Sequence, residues 1–429
     1  MPNLKTLSYL GIGLLAPQVA FAQGIDTADT AWMLISTALV MFMVPGLALF
    51  YGGLVRSANV LSVVMHSLFA MGVMTIQWVV IGYSLAWGPD IGGFIGGLDY
   101  FMLRGVGQEA NGTIPHVLFM MFQGMFAIIT PAIIGGAVVE RIKFSTFAVF
   151  MVLWGTLVYD PLCHMVWHAD GYLLNRGGLD FAGGTVVHIS SGISALVLAV
   201  LVGKRKGYGR IPMPPHNLVF TLIGGAMLWF GWFGFNAGSA LASGGLAANA
   251  LVVTHISACA GLFSWTLAEW VFLKKPSILG ALSGMLAGLV AITPGAGFVS
   301  PTSSLVIGLI GGLVCYFGVR IKGRFGFDDS LDAFGVHGIG GIFGALATGL
   351  FASVLVNSGG ADGVFSNLST GWHLFGEQAF AVAVTIVYSV VMTLIIAKVL
   401  DKTMGLRVTD DEETQGLDSQ LHGETAYQN

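Results

Sequence analysis

Eleven stretches of the chain are each apolar over roughly the ~20 residues that a helix needs to cross the hydrocarbon of a bilayer. They fall at 31–55, 60–84, 114–138, 144–167, 180–203, 218–239, 248–272, 277–298, 304–320, 334–355 and 376–399. In lipid the backbone must satisfy its own polar groups, and runs of this length do so as helices. The expected fold is an all-α polytopic membrane protein with eleven transmembrane helices. Composition agrees, since 55% of the residues are hydrophobic and 9% charged, which excludes a soluble domain. The 62 glycines imply helices packed closely through small residues. Cys163, Cys259 and Cys315 lie in apolar segments without metal-ligand spacing, so neither a disulfide framework nor a metal site is expected. Nothing in the chain calls for a cofactor or a nucleic-acid partner.

Ahead of the first span, Lys5 precedes an apolar run from Leu7 to Ala20 that ends in Ala20-Phe21-Ala22. A basic residue, a short apolar core and small residues at −3 and −1 mark a signal peptide, here 1–22, cut before Gln23. The mature N-terminus is then expected outside and, after eleven spans, the C-terminus inside. Of the 18 Lys and Arg residues, Lys5 lies in the leader, Arg104 and Arg176 fall in outside loops, and the other fifteen fall at the inside. Basic residues collect on that side of a membrane protein.

Two stretches look like copies of each other. Leu179-Asp180 leads to Val187-His188 with Gly192-Ile193 beyond, and Leu331-Asp332 leads to Val336-His337 with Gly341-Ile342 beyond. An imidazole is thus placed at lipid depth twice, in spans five and ten, where an ionisable ring needs a partner and is a functional candidate. The best partner for each is the other. Because the spans enter from opposite sides, the chain reads as two inverted five-helix repeats, 23–203 and 218–355, joined by a basic linker, 204–217. An outer loop with the eleventh helix, 356–401, and a tail, 402–429, follow. For His337 to reach the depth of His188, the segment from Ser330 to Gly335 is expected to be non-helical backbone buried in protein.

Other candidates gather at the outer end of this route. Phe122 and Phe126 share one face of span three, Phe235 and Ser239 one face of span six, and Trp167 closes span four. Aromatic faces around a hydroxyl suit a small cation that also donates hydrogen bonds; aromatics at such depth also serve as a membrane belt. Asp180 is expected to cap span five, structurally, beside the site. Glu140 and Glu269 are expected to pair at the surface with Arg141 and Lys274. The polar tail from Asp410 onward is too poor in apolar residues to fold alone, and is either a docking segment or solvated.

The chain resembles the ammonium transporter family (Amt/Mep/Rh), and within it the bacterial Amt branch. The matching stretches are Pro45 to Gly53, Phe122 to Ala127, His164 to Trp167, Leu179 to His188, Gly231 to Ser239, Phe334 to Gly338, and the tail residues Gly416-Leu417-Asp418 and His422-Gly423-Glu424. The resemblance implies a homotrimer with a pore in each subunit, in the bacterial cytoplasmic (inner) membrane. It implies an external ammonium site of Phe126, Trp167 and Ser239, with Phe122 adjoining and Asp180 organising the region. Phe126 and Phe235 would be a stacked gate, and His188 with His337 a pore-lining pair. It further implies a PII-type regulatory protein at the cytoplasmic face. The chain departs from the family at His168-Ala169-Asp170, where a glycine run is more usual. The resulting expectation is a transporter, not an enzyme, that recruits ammonium, deprotonates it and passes ammonia; the residues leave open whether the proton crosses separately. The alternatives are a proton-coupled carrier of another small solute and a non-transporting ammonium sensor.

Overall fold

The structure is a computed structural model that describes residues 24–427, so the expected signal peptide lies outside the described residues. Among these residues, eleven helices are long and apolar enough to span a membrane: Thr27–Leu54, Ser57–Trp87, His116–Gly135, Phe144–Asn175, Gly184–Val202, Leu218–Gly238, Gly245–Leu273, Ile278–Gly295, Pro301–Phe325, Phe334–Phe351 and Gly371–Thr403. They are numbered here as spans one to eleven and coincide with the eleven apolar runs. Their ends carry the expected chemistry. Asp26 caps span one by accepting from the amides of Ala28 and Asp29, and Asn217, Ser277 and Ser300 cap spans six, eight and nine. Side-chain oxygens thereby satisfy amides that a helix start leaves without intrahelical partners.

Spans one and six pack along one another, and small residues set the distance. A methyl group added at Gly224 would overlap the backbone of Phe50, so only glycine permits this approach. Spans five and ten cross in the same manner, because a methyl group at Gly192 would overlap the backbone of Gly338. Span eleven braces the crossing from outside. Gln378 accepts from the Leu179 amide at 2.7 Å and donates to the carbonyls of Leu179 and Ala345 at 2.8 and 2.9 Å.

At the bundle end that carries the tail, Glu140 and Arg141 do not form the expected surface arrangement. Both are buried, and Glu140 bonds Arg56 at 3.1 Å and Arg205 at 3.0 Å. Arg141 instead donates to backbone carbonyls of Ala137, Gly203 and Asp328 and to the Ser330 hydroxyl. With the Val139 carbonyl these make five acceptors, which leave it no use for the neighbouring Glu140 carboxylate. Glu269 likewise bonds the Ser277 amide and hydroxyl, both within 3 Å, in place of Lys274. The tail docks on its own chain. Leu417 is fully buried, its amide donates to Asn59 at 2.9 Å, and Asp418 accepts from the Ser62 amide at 2.8 Å.

Candidate functional site

The starts of spans five and ten are built alike. The Asp180 carboxylate accepts from the amides of Gly183, Gly184 and Thr185 at 2.8, 2.6 and 2.7 Å, and from the Thr185 hydroxyl. One carboxylate thus closes the entire helix start, the capping role expected of it. Gly183 takes a left-handed conformation, φ 116°, which strongly favours glycine, and the chain then enters a π-helical turn, Gly184–Ile189, that carries His188. In span ten the equivalent cap is Asp329, which accepts from the amides of Ala333 and Phe334 at 3.1 and 2.9 Å. A π turn, Phe334–Gly338, then carries His337.

The repeat therefore runs three residues out of register with the Leu-Asp match read from sequence. Asp180 precedes His188 by eight residues and Asp329 precedes His337 by eight. Asp332 occupies the position of Gly183, also with positive φ (60°), and pairs with Lys322 at 2.6 Å. The non-helical approach to span ten is real but shorter than the 330–335 expected. The Ser330 and Leu331 amides bond the Ala137 and Gly136 carbonyls, and the helix resumes before Gly335.

With both helices so placed, the two imidazoles meet. His188 Nδ1 and His337 Nδ1 are 3.1 Å apart, both rings buried. One nitrogen of this contact must donate and the other accept. From them a column of rings leads away. His188 stacks near Phe235 (6.0 Å between centroids), Phe235 on Phe126 (4.4 Å), and Phe126 lies edge-on to Trp167 (5.8 Å) and Phe122 (5.1 Å). Trp167 is fixed by its indole N–H, which donates to the Asp180 carbonyl at 2.8 Å. Ser239, one turn beyond Phe235, donates to the Phe235 carbonyl at 2.8 Å, which leaves its oxygen lone pairs free to accept.

A cavity of about 570 Å³ approaches the pair from the tail side. Leu47, Ile133 and Leu228 line it on the way to His188 and His337, and it reaches Phe235 but neither Phe126 nor Trp167. The phenylalanine pair thus separates this cavity from the residues beyond.

All eight residues singled out from the sequence fall along one path. The sequence reading did not single out Trp232, which stacks on His188 (5.4 Å, 24° between planes) while its indole N–H donates to Thr293 at 2.9 Å. Its signal was its place three residues before Phe235, on the same helix face. Asp329 was the other omission, and counting back eight residues from each histidine would have found it.

The ammonium transporter family model matches residues 31–427. The ammonium transporter of Bacillus subtilis is 52% identical over 404 residues, covering 93% of this chain and 98% of that protein. Among solved structures, Mep2 of Candida albicans is 35% identical with a TM-score of 0.85, covering 90% of this chain and 88% of that one. A solved sensor Amt protein is 28% identical with a TM-score of 0.85, covering 92% of this chain and 98% of that one. By the family match and by these identities, the chain belongs to the ammonium transporter family.

Proposed function

We propose that this protein transports ammonium by collecting it at Trp167, Phe126, Phe122 and Ser239, removing a proton, and passing ammonia between Phe126 and Phe235 to the histidine pair. Ammonium and potassium share charge and approximate size, so a rigid hole separates them poorly. Ammonium alone can donate hydrogen bonds and lose a proton. Aromatic faces attract the cation and the Ser239 oxygen accepts one N–H. Beyond them the apolar phenylalanines, 4.4 Å apart and tilted by 41°, disfavour charge and favour the neutral amine. The observation that carries this reading is the Nδ1 contact of His188 and His337 at the head of an otherwise largely apolar cavity. Neutral imidazoles sharing one hydrogen bond still offer their outer nitrogens to ammonia or to a moving proton. His188 Nε2 has no partner among the described residues.

On this reading 23–203 and 218–355 are inverted repeats, with the N-terminus outside, the tail inside, and 1–22 a cleaved signal peptide. The distribution of Lys and Arg supports that orientation. The chain is then a subunit of a homotrimer in the inner membrane of a bacterium, and its tail-side face, where the cavity opens, receives a PII-type regulatory protein. Family membership supports both assignments.

The test is the current evoked in proteoliposomes by an ammonium pulse, with an equal potassium pulse and internal pH as controls. A current with ammonium and none with potassium is expected of proton and ammonia crossing together. A rise in internal pH without current identifies ammonia alone as the permeant. Silence in both, from folded protein, rejects ammonium transport in favour of sensing, a reading kept in view by the likeness to a sensor Amt protein, or of carriage of another small solute.

A further inference from the structure

One side chain of span eleven holds both backbone groups of the residue that leads into span five. Gln378, 1% exposed, accepts from the Leu179 amide at 2.7 Å and donates to the Leu179 carbonyl at 2.8 Å. A neighbouring strand would pair a residue through the same two bonds, and here a single amide group supplies them. The amide nitrogen also donates to the Ala345 carbonyl of span ten at 2.9 Å, so both of its N–H groups are used. The peptide that follows Leu179 leads directly to the cation site. The Asp180 carbonyl accepts the Trp167 indole N–H at 2.8 Å, and the Phe181 amide, at the other end of the same peptide bond, donates to the Pro294 carbonyl of span eight at 3.0 Å. Trp167 meets Phe126 only edge-on, 5.8 Å between centroids, so the bond to Asp180 is the directional contact of its ring.

We propose that Gln378 is a positioning residue for the cation site. By pinning Leu179 to spans ten and eleven, it fixes the Asp180 carbonyl and, through that carbonyl, the Trp167 indole. The inference rests on the assignment of Trp167 to ammonium recruitment. Leu179 is half-buried and residues 174–177 before it are exposed, so water can take the place of a lost partner and the segment can move outward. The adjacent Glu377 pairs with Arg176 at 2.9 Å, but at the surface, where such a pair holds little. Pro294 holds the far end of the Asp180–Phe181 peptide, while Gln378 holds the residue before it, and two fixed ends define the direction of the carbonyl between them. Loss of one end weakens a site whose aromatic face must be aimed at the cation. An effect of one hydrogen bond's size corresponds to a roughly two- to tenfold higher ammonium concentration at half-maximal current.

The experiment is the ammonium dependence of the current in proteoliposomes for wild type, Gln378→Met, Trp167→Leu, the double variant and Thr393→Val. Gln378→Met keeps the length of the side chain and removes its hydrogen bonds. Thr393→Val removes buried bonds of the same helix to Trp154 and Ser194, away from Leu179, and controls for loosening of span eleven in general. Gln378→Met is expected to raise the half-saturating concentration by two- to tenfold with a maximal current near that of wild type, and Thr393→Val to leave both unchanged. Because Gln378 acts through Trp167, the double variant should need no more ammonium than Trp167→Leu alone. A wild-type concentration dependence in Gln378→Met overturns the proposal. So do effects that multiply in the double variant, or a Thr393→Val shift as large as that of Gln378→Met. Should the methionine variant not fold, Gln378→Asn, which keeps the amide and shortens its reach by one methylene, is read by the same criteria. Trp167→Leu separates the two readings. If it raises the half-saturating concentration while Gln378→Met does not, recruitment by Trp167 stands and the role of Gln378 falls; if it changes nothing, both fall.

Discussion

His188 and His337 are each buried, and each has the other as its Nδ1 partner. Removing either ring leaves a polar atom orphaned in an apolar setting, a cost of about 1–3 kcal/mol, and replaces an imidazole by space. His188→Ala or His337→Ala is therefore expected to fold with a modest loss of stability and to lose at least tenfold of its ammonium-over-potassium selectivity, or its transport altogether. Paired ammonium and potassium flux measurements check this, and wild-type flux with wild-type selectivity would remove the pair from the mechanism. These histidines were legible in the sequence because an ionisable ring twice at lipid depth has few uses. Trp232 was not, because an apolar aromatic in a span usually packs. Only the tertiary fold, which brings its ring onto that of His188, gives it a functional neighbour. Asp332 was matched with Asp180 in the repeat because each follows a leucine. Hydrogen bonding depends on distance along the turn, and that distance selects Asp329.

The helices themselves were readable to within a few residues, since a span's length follows from bilayer thickness. The junctions between them were not. Glu140 and Arg141 look like a surface pair in sequence, but Glu140 has positive φ (68°), and their side chains diverge into the protein. Arg205 then bridges two buried carboxylates, Glu140 at 3.0 Å and Asp328 at 2.9 Å. Burial pushes the Glu140 carboxyl up, but Arg205 and Arg56 outweigh it and hold its pKa below the ordinary value; Asp328 is likewise held down, against its burial, by Arg205. Carboxylates with depressed folded values stabilise the fold fully above their unfolded pKa, and that contribution is lost as pH falls through the folded one. Arg205→Ala removes the ion-pair partner of Asp328 and leaves Glu140 with Arg56 alone, and is expected to cost about 3–5 kcal/mol at neutral pH. Arg205→Lys restores little, because a single ammonium cannot reproduce the fork that serves both partners. Thermal unfolding in detergent from pH 7 down to pH 3 tests both points. Wild type should lose stability below about pH 4, in the range of unperturbed carboxylates, and Arg205→Ala should be less stable at pH 7 with a flatter decline. Equal midpoints at pH 7 would reduce the cluster to a surface ornament.

At the scale of the molecule, the tail closes onto the body it follows. Its composition left docking and solvation both open, because a short polar segment has too little apolar surface to fold alone. What the composition could not convey is that the partners are the Asn59 side chain and the Ser62 amide, where span two begins, together with Lys206 of the linker. Asn59 accepts from Leu417, Asp418 accepts from the Ser62 amide, and Glu413 accepts from the Lys206 amide while pairing with Arg407 at 2.6 Å. The Arg407 and Ile142 backbones form a bridge that starts this return path. Leu417 is the apolar anchor, fully buried between these polar clasps, and its burial is worth about 1.5–3 kcal/mol. Leu417→Asp places a charge in that socket, so the docked state is expected to lose at least tenfold in population while the eleven spans stay folded. Limited proteolysis reads this directly. Cleavage between 405 and 425 should accelerate by tenfold or more in Leu417→Asp, with an unchanged melting transition for the bundle. Equal cleavage rates would mean that the polar clasps hold the tail without the leucine, and a bundle that melts earlier would mean that the tail is part of the body's core and not a segment laid upon it.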